Sequence, residues 1–225
     1  MTHLYHNAKI KAGDIMVNYV ERVLIKSQAK NQVSGKRVKL ALMMLIIFAI
    51  EYALGILTSK LHEAVEYVID GFISSIFALS TTHIYLKVTD SLDVEIQDIF
   101  LGFYDFLRAI TITVFVSVKT ILWSLLLIIP GVIKSLAYSM TTYIVAENRD
   151  MSVSEAMRKS EEMMQGHKMD LFYLNLSFTG WILLTVVTCG IAALWTAPYI
   201  NATHANFYRS IKNMQANDKD EEYYD

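Results

Sequence analysis

The chain has 225 residues, of which 54% are hydrophobic and 19% are charged, and its formal net charge is −2. A soluble domain carries roughly 25% charged residues, so this balance argues against a soluble protein of this length and indicates a membrane protein. Six scattered histidines and a single cysteine form no metal-binding or catalytic motif, so we expect no metal, no cofactor and no enzyme active site. No extended basic and aromatic surface indicates a nucleic-acid partner.

The first 37 residues are predicted to form a cytoplasmic, amphipathic segment. Ile15, Tyr19 and Val23 recur every four residues, which is typical of a helix that lies on the membrane surface or packs on the cytoplasmic face of a bundle. The first apolar run follows this segment, so the pattern does not indicate a cleaved signal peptide. That run, residues 38–57, would span roughly 30 Å as a helix, the thickness of a bilayer core.

The second predicted span, residues 64–86, is polar enough that its neighbours must shield it from lipid. Residues 88–108 mix acidic and apolar side chains, which predicts an amphipathic connector at the membrane interface. Two later apolar runs, 109–147 and 170–208, have 39 residues each, and one helix of that length would measure roughly 58 Å. Each run therefore predicts a hairpin, and the six predicted spans are residues 38–57, 64–86, 109–129, 132–147, 170–188 and 191–208.

Proline and glycine mark the predicted helix breaks. The first hairpin is predicted to turn at Pro130 and Gly131, and the second to turn at Gly190, next to Cys189. Pro198 is predicted to break the last span and free backbone carbonyl groups. The fold class that follows is all-α, a polytopic membrane helical bundle with about six transmembrane helices and additional interfacial amphipathic helices.

A short cytoplasmic helix is predicted between the two hairpins. Ser152 and Glu155 have the spacing of a capping box, and Gly166 supplies a stop signal. The distribution of basic residues then predicts the orientation, because 17 of the 20 Lys and Arg fall in cytoplasmic segments when the N-terminus is inside. Lys60 and Lys134 would face outward. Both termini are therefore predicted to be cytoplasmic, with residues 209–225 as an acidic tail.

The second half of the chain carries a series of residues in a fixed order, which resembles the bacterial domain-of-unknown-function 975 family of membrane proteins over residues 125–208. The resemblance implies a multi-pass protein of the bacterial plasma membrane, in a family with no established activity. One departure is Asn175, which stands where the family commonly has Asp, so an ionisable role is lost at that position. The series comprises Ile129-Pro130-Gly131, Ala137-Tyr138-Ser139-Met140, Ser160, Met163-Met164, Gly166-His167-Lys168, Leu171-Phe172, Leu176-Ser177-Phe178, Gly180-Trp181, Leu194-Trp195, Pro198-Tyr199 and Phe207-Tyr208.

Three ionisable residues, Glu51, Asp70 and Lys119, fall within predicted spans. Charged side chains cost roughly 2.5–3.5 kcal/mol there and by default suggest function. A pair of Lys119 with Glu51 or with Asp70 would either fix the helix register or line a polar cavity. His62, Glu66 and Asp70 also share one helical face, which is more typical of a solvated acidic surface than of a metal site.

A second candidate polar site lies in the last hairpin. Asn175, Ser177, Asn201 and His204 would line this site, and Pro198 would turn free carbonyl groups toward it. The alternative is that the small residues of this hairpin simply allow its helices to pack closely.

Two classes of function remain open. Charges within spans and two hairpins favour a transport-related protein, either a transporter or a transport accessory for a small solute or a lipid, and predict a polar cavity that reaches the midplane. The alternative is a non-transporting membrane scaffold or envelope-homeostasis factor. Such a protein would use its cytoplasmic helices and acidic tail to bind a protein partner or membrane lipids.

Overall fold

The computed structural model describes residues 21–126 and 128–224, and these residues are helical without a strand. Residues 1–20, which hold most of the predicted N-terminal segment, lie outside this description. Residues 21–34 form helix α1. The helices that follow are α2 (Arg37–Thr58), α3 (Glu63–Thr89), a 3-10 helix (Ile96–Phe100), α4 (Leu101–Tyr104), α5 (Phe106–Leu126), α6 (Ile128–Tyr138), α7 (Thr141–Glu147), α8 (Val153–Met163), α9 (Lys168–Leu176), α10 (Thr179–Val187) and α11 (Ala193–Tyr224).

Four helical stretches within the described residues are long and apolar enough to cross a membrane. The second and sixth predicted spans are not among them, because polar side chains lower the hydropathy of α3 and α11. In α3 these include His83 beside several serines and threonines, and in α11 they include Asn201 and His204. The four stretches are Arg37–Thr58, Phe106–Leu125, Ile128–Glu147 and Lys168–Val187.

Two clusters of buried apolar side chains form the core, and α3 and α11 contribute to both. The larger cluster joins Leu79 of α3 and Phe207 of α11 to Ile144 of α7. The smaller cluster packs α2, through Leu40, against the other side of α3, where Tyr85 is buried. The two most polar long helices are therefore the central ones, and the apolar helices surround them.

Pro130 and Gly131 do not form the turn of the first hairpin, because both lie within helix α6. Helix α5 ends at Leu126 and α6 begins at Ile128, so the turn at Pro130 and Gly131 is wrong. Pro130 lies in the first turn of α6, where its missing N–H group costs no helical hydrogen bond. Gly131 serves close packing instead, because a Cβ there would lie only 2.1 Å from Ser124 Oγ and 2.9 Å from Ser124 Cα on α5.

The second hairpin reverses between α10 and α11. Cys189 and Gly190 have φ angles of +50° and +90°, in the left-handed region that glycine adopts most easily. Helix α11 then runs for 32 residues with Pro198 inside it. The predicted break at Pro198 is therefore wrong, since the helix continues through this residue.

The predicted capped helix between the hairpins is confirmed as α8. Ser152 Oγ accepts a hydrogen bond from the backbone N–H of Glu155 at 3.2 Å, and Gly166 follows the helix with φ +82°. Helix α8 packs along α6 and α7, where Ser160 is fully buried. Its hydroxyl donates to the Ala137 carbonyl at 2.7 Å and accepts from the Met140 N–H at 3.2 Å. Ser160 therefore joins the two halves of an interrupted helix that the sequence did not predict.

The connector between α3 and α5 lies against α3. Asp98 is buried there, and its carboxylate accepts from Lys87 Nζ at 2.6 Å and from the Glu95 N–H at 2.8 Å. Gly102 approaches α3 so closely that its N–H donates to Ser80 Oγ at 2.8 Å. The connector is thus a fixed part of the bundle.

Candidate functional site

The three charges of the predicted spans do not meet. Lys119 is exposed on α5, with its ammonium group 5.8 Å from the centre of the Tyr138 ring. Asp70 accepts a hydrogen bond from the Thr58 hydroxyl at 3.3 Å, near the turn between α2 and α3. Within the described part of the chain no ion pair joins Lys119 to Glu51 or to Asp70. The predicted pair is therefore wrong, because α5 turns Lys119 toward α6 and away from α2 and α3.

The second predicted polar site comes together in part. His204 Nε2 lies 2.7 Å from the Asn175 side-chain oxygen, which links α11 to α9. Ser177 instead donates to the Leu174 carbonyl at 2.5 Å, and Asn201 lies beside Tyr85 of α3. Of the four predicted residues, only Asn175 and His204 therefore contact each other. Over the residues described, no group of three or more His, Cys, Asp or Glu side chains is placed to hold a metal ion.

Phe178 connects this region to the N-terminal helix. Its ring lies edge-on to His204, with 6.3 Å between ring centroids, and the Lys26 ammonium group of α1 lies 4.7 Å from the Phe178 centroid. Burial lowers the pKa of Lys26 below its ordinary value, because the charged form loses hydration. Helix α1 is thereby held against the end of α9.

A polar seam that the sequence did not predict runs between α3, α7 and α11. We define the seam as Tyr85, Tyr143, Asn201 and Tyr208. The Tyr85 and Thr141 hydroxyls are buried and have no hydrogen-bond partner among the described residues. Asn201 lies beside the Tyr85 hydroxyl without a well-formed hydrogen bond. Buried hydroxyls are nearly always bonded to protein or to water, so these two groups are open to a further polar partner.

A cluster of charged side chains lies at the end of the seam that Tyr143 and Tyr208 form. The Tyr143 and Tyr208 rings stack at a centroid distance of 5.4 Å, and the Tyr208 hydroxyl donates to Glu147 at 2.7 Å. Glu147 also accepts from Arg209 and, at 2.5 Å, from Lys212.

Arg209 contacts two acidic residues in this cluster. In addition to Glu147, its guanidinium group contacts Asp90 at 2.5 Å. We call Asp90, Glu147, Arg209 and Lys212 the hub. Because Asp90 directly follows α3 and Glu147 ends α7, the hub ties α11 to the ends of both helices.

Further contacts link the segments that the charge pattern assigns to the cytoplasm. Helix α1 is joined to α9 and α11, and the connector is joined to α3 and to the loop after α7. All these segments therefore lie at one end of the molecule. The contacts are Arg22–Asp170 at 3.1 Å, Glu21–Ser210 at 2.9 Å, Gln32–Asn206 at 2.6 Å, Lys87–Asp98 at 2.6 Å and Asp105–Arg149 at 3.4 Å.

One pair departs from the predicted two-sided distribution of charge. Lys134, which the charge count places outside, contacts Glu161 of α8, which the count places inside. The contact arises because α8 packs back along α6. Lys134 and α8 therefore lie on the same side of the membrane or at the same depth within it, contrary to the charge count.

Comparison with known proteins identifies one family. Residues 125–215 match the model of a family described as "Protein of unknown function (DUF975)". The matched region includes Glu147, Arg209 and Lys212 of the hub, whereas Tyr85 and Asp90 precede it. No curated protein and no solved structure has significant similarity to the chain.

Proposed function

We propose that the chain, of which residues 125–215 match the model of the DUF975 family of unknown function, is a transport-related protein of the bacterial plasma membrane. It has six spans and cytoplasmic termini, and it passes or helps to pass a small polar solute along the seam. The hub is its cytoplasmic gate. The observation that carries this proposal is the position of the hub across the end of the seam.

We take the six spans to be the four apolar stretches together with α3 and α11. Helix α8 then lies beside α6 at the depth of Lys134 and not wholly outside the membrane. Helices α3 and α11 have 27 and 32 residues, or about 40 and 48 Å at 1.5 Å per residue, which is enough to cross a bilayer. Their polar side chains face a bundle interior that the apolar helices shield from lipid. Such an arrangement is the usual setting of polar residues on a transport path.

The energetics of the hub suit a gate. The Glu147 side chain is 15% exposed and that of Arg209 is 23% exposed, so both retain contact with water. Exposed ion pairs contribute about 0.2–1 kcal/mol each, and breaking a buried pair costs about 3–5 kcal/mol. A closed state held by these partly buried pairs is therefore separated from an open state by a few kcal/mol. Fully buried pairs would hold the helix ends together too firmly.

The test measures access to the seam. Cys189 is the only cysteine, so Cys189→Ser gives a background in which Asn201→Cys places one thiol in the seam, beside Tyr85. We expect a membrane-impermeant maleimide to label this thiol slowly in inverted vesicles. Adding Arg209→Ala should raise the labelling rate about tenfold, which corresponds to ~1.4 kcal/mol of lost gate stability.

The matched control is Arg158→Ala, which removes an arginine whose ion pair with Glu162 lies on the surface of α8. This control should leave the labelling rate unchanged. If Arg209→Ala also leaves the rate unchanged in inverted vesicles, the hub is not a gate.

The scaffold alternative is supported by the many contacts that join the cytoplasmic segments into one layer. A scaffold needs this layer to stay fixed. A disulfide between Asp90→Cys and Arg209→Cys would then leave its partners bound, whereas it would abolish movement of solute past a gate. Truncation after Gln215, which removes most of the acidic tail and spares the hub, should release protein partners from a scaffold and leave a transporter active.

A further inference from the structure

A groove of about 340 Å³ opens where α1 meets α2, beside α10 and the start of α11. Its volume falls within the range of small-molecule sites, roughly 300–1,000 Å³. Two basic residues, Lys30 and Arg37, stand on one side, and Trp181 and Trp195 stand on the other. The seam and the hub contribute no residue to it.

The positive charge of the groove is uncompensated. Lys30 and Arg37 are both exposed, and neither forms an ion pair or a side-chain hydrogen bond with the described residues. Their neighbours behave differently, since Arg22 pairs with Asp170 and Lys36 donates to the Leu92 carbonyl. Two adjacent cations without a protein partner attract an anion.

The rest of the groove is mostly apolar, apart from Thr196 and Tyr199, and faces outward. Trp181 is 47% exposed and Trp195 is 63% exposed, and Val33, Leu194 and Pro198 complete the wall. Trp181 lies in one candidate membrane span, and Arg37 begins another. Basic residues at the end of a span lie at the level of the lipid headgroups. The groove therefore joins a headgroup-level cationic end to an apolar wall.

We propose that this groove binds one anionic phospholipid of the cytoplasmic leaflet. Its phosphate group lies between Lys30 and Arg37, and an acyl chain runs along Trp181 and Trp195. Charge complementarity selects an anionic headgroup over a zwitterionic one, and the apolar wall distinguishes a lipid from a free anion. This site does not depend on the seam being a transport path.

The test uses the groove tryptophans as reporters. The chain has three tryptophans, so Trp123→Phe leaves only Trp181 and Trp195. The full chain is placed in nanodiscs that contain equal amounts of phosphatidylglycerol and phosphatidylcholine, with brominated acyl chains on one lipid or on the other. Bromine quenches tryptophan fluorescence on contact. We expect stronger quenching when phosphatidylglycerol carries the bromine.

The charge of the groove is then removed by Lys30→Ala with Arg37→Ala. Relative affinity for phosphatidylglycerol should fall about 30-fold, because each of the two basic residues contributes ~1 kcal/mol at a membrane surface. The matched control is Lys39→Ala with Lys159→Ala, which removes the same charge from exposed positions outside the groove and on its predicted side of the membrane. Circular dichroism of both variants checks that each is folded.

Three results would overturn the proposal. Equal quenching by the two brominated lipids would mean an ordinary annular lipid. An equal loss in the control variant would mean a general surface charge without a site. Displacement of brominated phosphatidylglycerol by inorganic phosphate alone would mean a free-anion site.

Discussion

Replacing Gly102 by alanine should destabilise the protein strongly. A Cβ at this position would lie 2.1 Å from the Ile76 carbonyl oxygen and 2.7 Å from Ser80 Oγ, so the connector must move away from α3. Overpacking of this kind costs about 1–3 kcal/mol, and loss of the Gly102–Ser80 hydrogen bond adds about 1 kcal/mol. For a chain of this size a loss of about 2–4 kcal/mol lowers the melting temperature by about 5–15 °C.

Thermal denaturation in detergent, followed by tryptophan fluorescence, measures this effect. The matched control is Gly71→Ala in α3, where no atom lies within 4 Å of the new Cβ. Because alanine favours a helix interior over glycine by about 0.5–1 kcal/mol, the control should melt at the same temperature or slightly higher. If the two variants melt together, the close approach of the connector to α3 is not a determinant of stability.

Two further substitutions test the packing of the family region by the same melting assay. Ser160→Ala should cost about 1–3 kcal/mol because it removes both bonds to the α6–α7 interruption, whereas the exposed Ser154→Ala should change stability by less than about 0.5 kcal/mol. Equal effects would contradict the bridging role of Ser160. Gly131→Ala should cost about 1–3 kcal/mol, and Ser124→Gly should recover part of that loss. Additive effects of these two changes would mean that the residues do not touch.

Local signals were sufficient to predict the helix between the two hairpins. Ser152 and Gly166 act on backbone groups within a few residues of their own position, so their effect is visible in the sequence. Pro130 and Gly131 led to a wrong turn prediction because their role depends on contacts that the local sequence does not show. A proline in a turn and a proline in the first turn of a helix have similar local sequences, and the decisive contact of Gly131 is with Ser124 across the hairpin.

The contacts of the candidate site could not be predicted, because they join distant parts of the chain. Arg209 is 62 residues from Glu147 and 119 residues from Asp90. The charge pattern indicates that all three lie near the ends of helices, and only the packing of α11 between α3 and α7 decides which of them pair. The same packing decides against Lys119, which has suitable charge and depth but lies on the wrong side of α5.

Polar side chains within the predicted spans are a sequence signal for the seam. Tyr85, Tyr143 and Asn201 lie in predicted spans, where each polar group needs a partner or a solvated surface. The charged residues Glu51, Asp70 and Lys119 are kept apart by the fold, whereas Asn201 of the second predicted site lies in the seam. Hydroxyl and amide groups were the better guide to the interior of this bundle.

Helix α11 is long enough that a small tilt displaces its ends by several ångströms. Arg209 stands 16 residues after Ala193 and 15 residues before Tyr224, so about 24 Å of helix lies on one side of it and about 22 Å on the other. A rigid helix that tilts by about 10° at Arg209 moves its far end by about 4 Å. Tilting at the hub would therefore displace the C-terminal end of α11, where another molecule would detect the change.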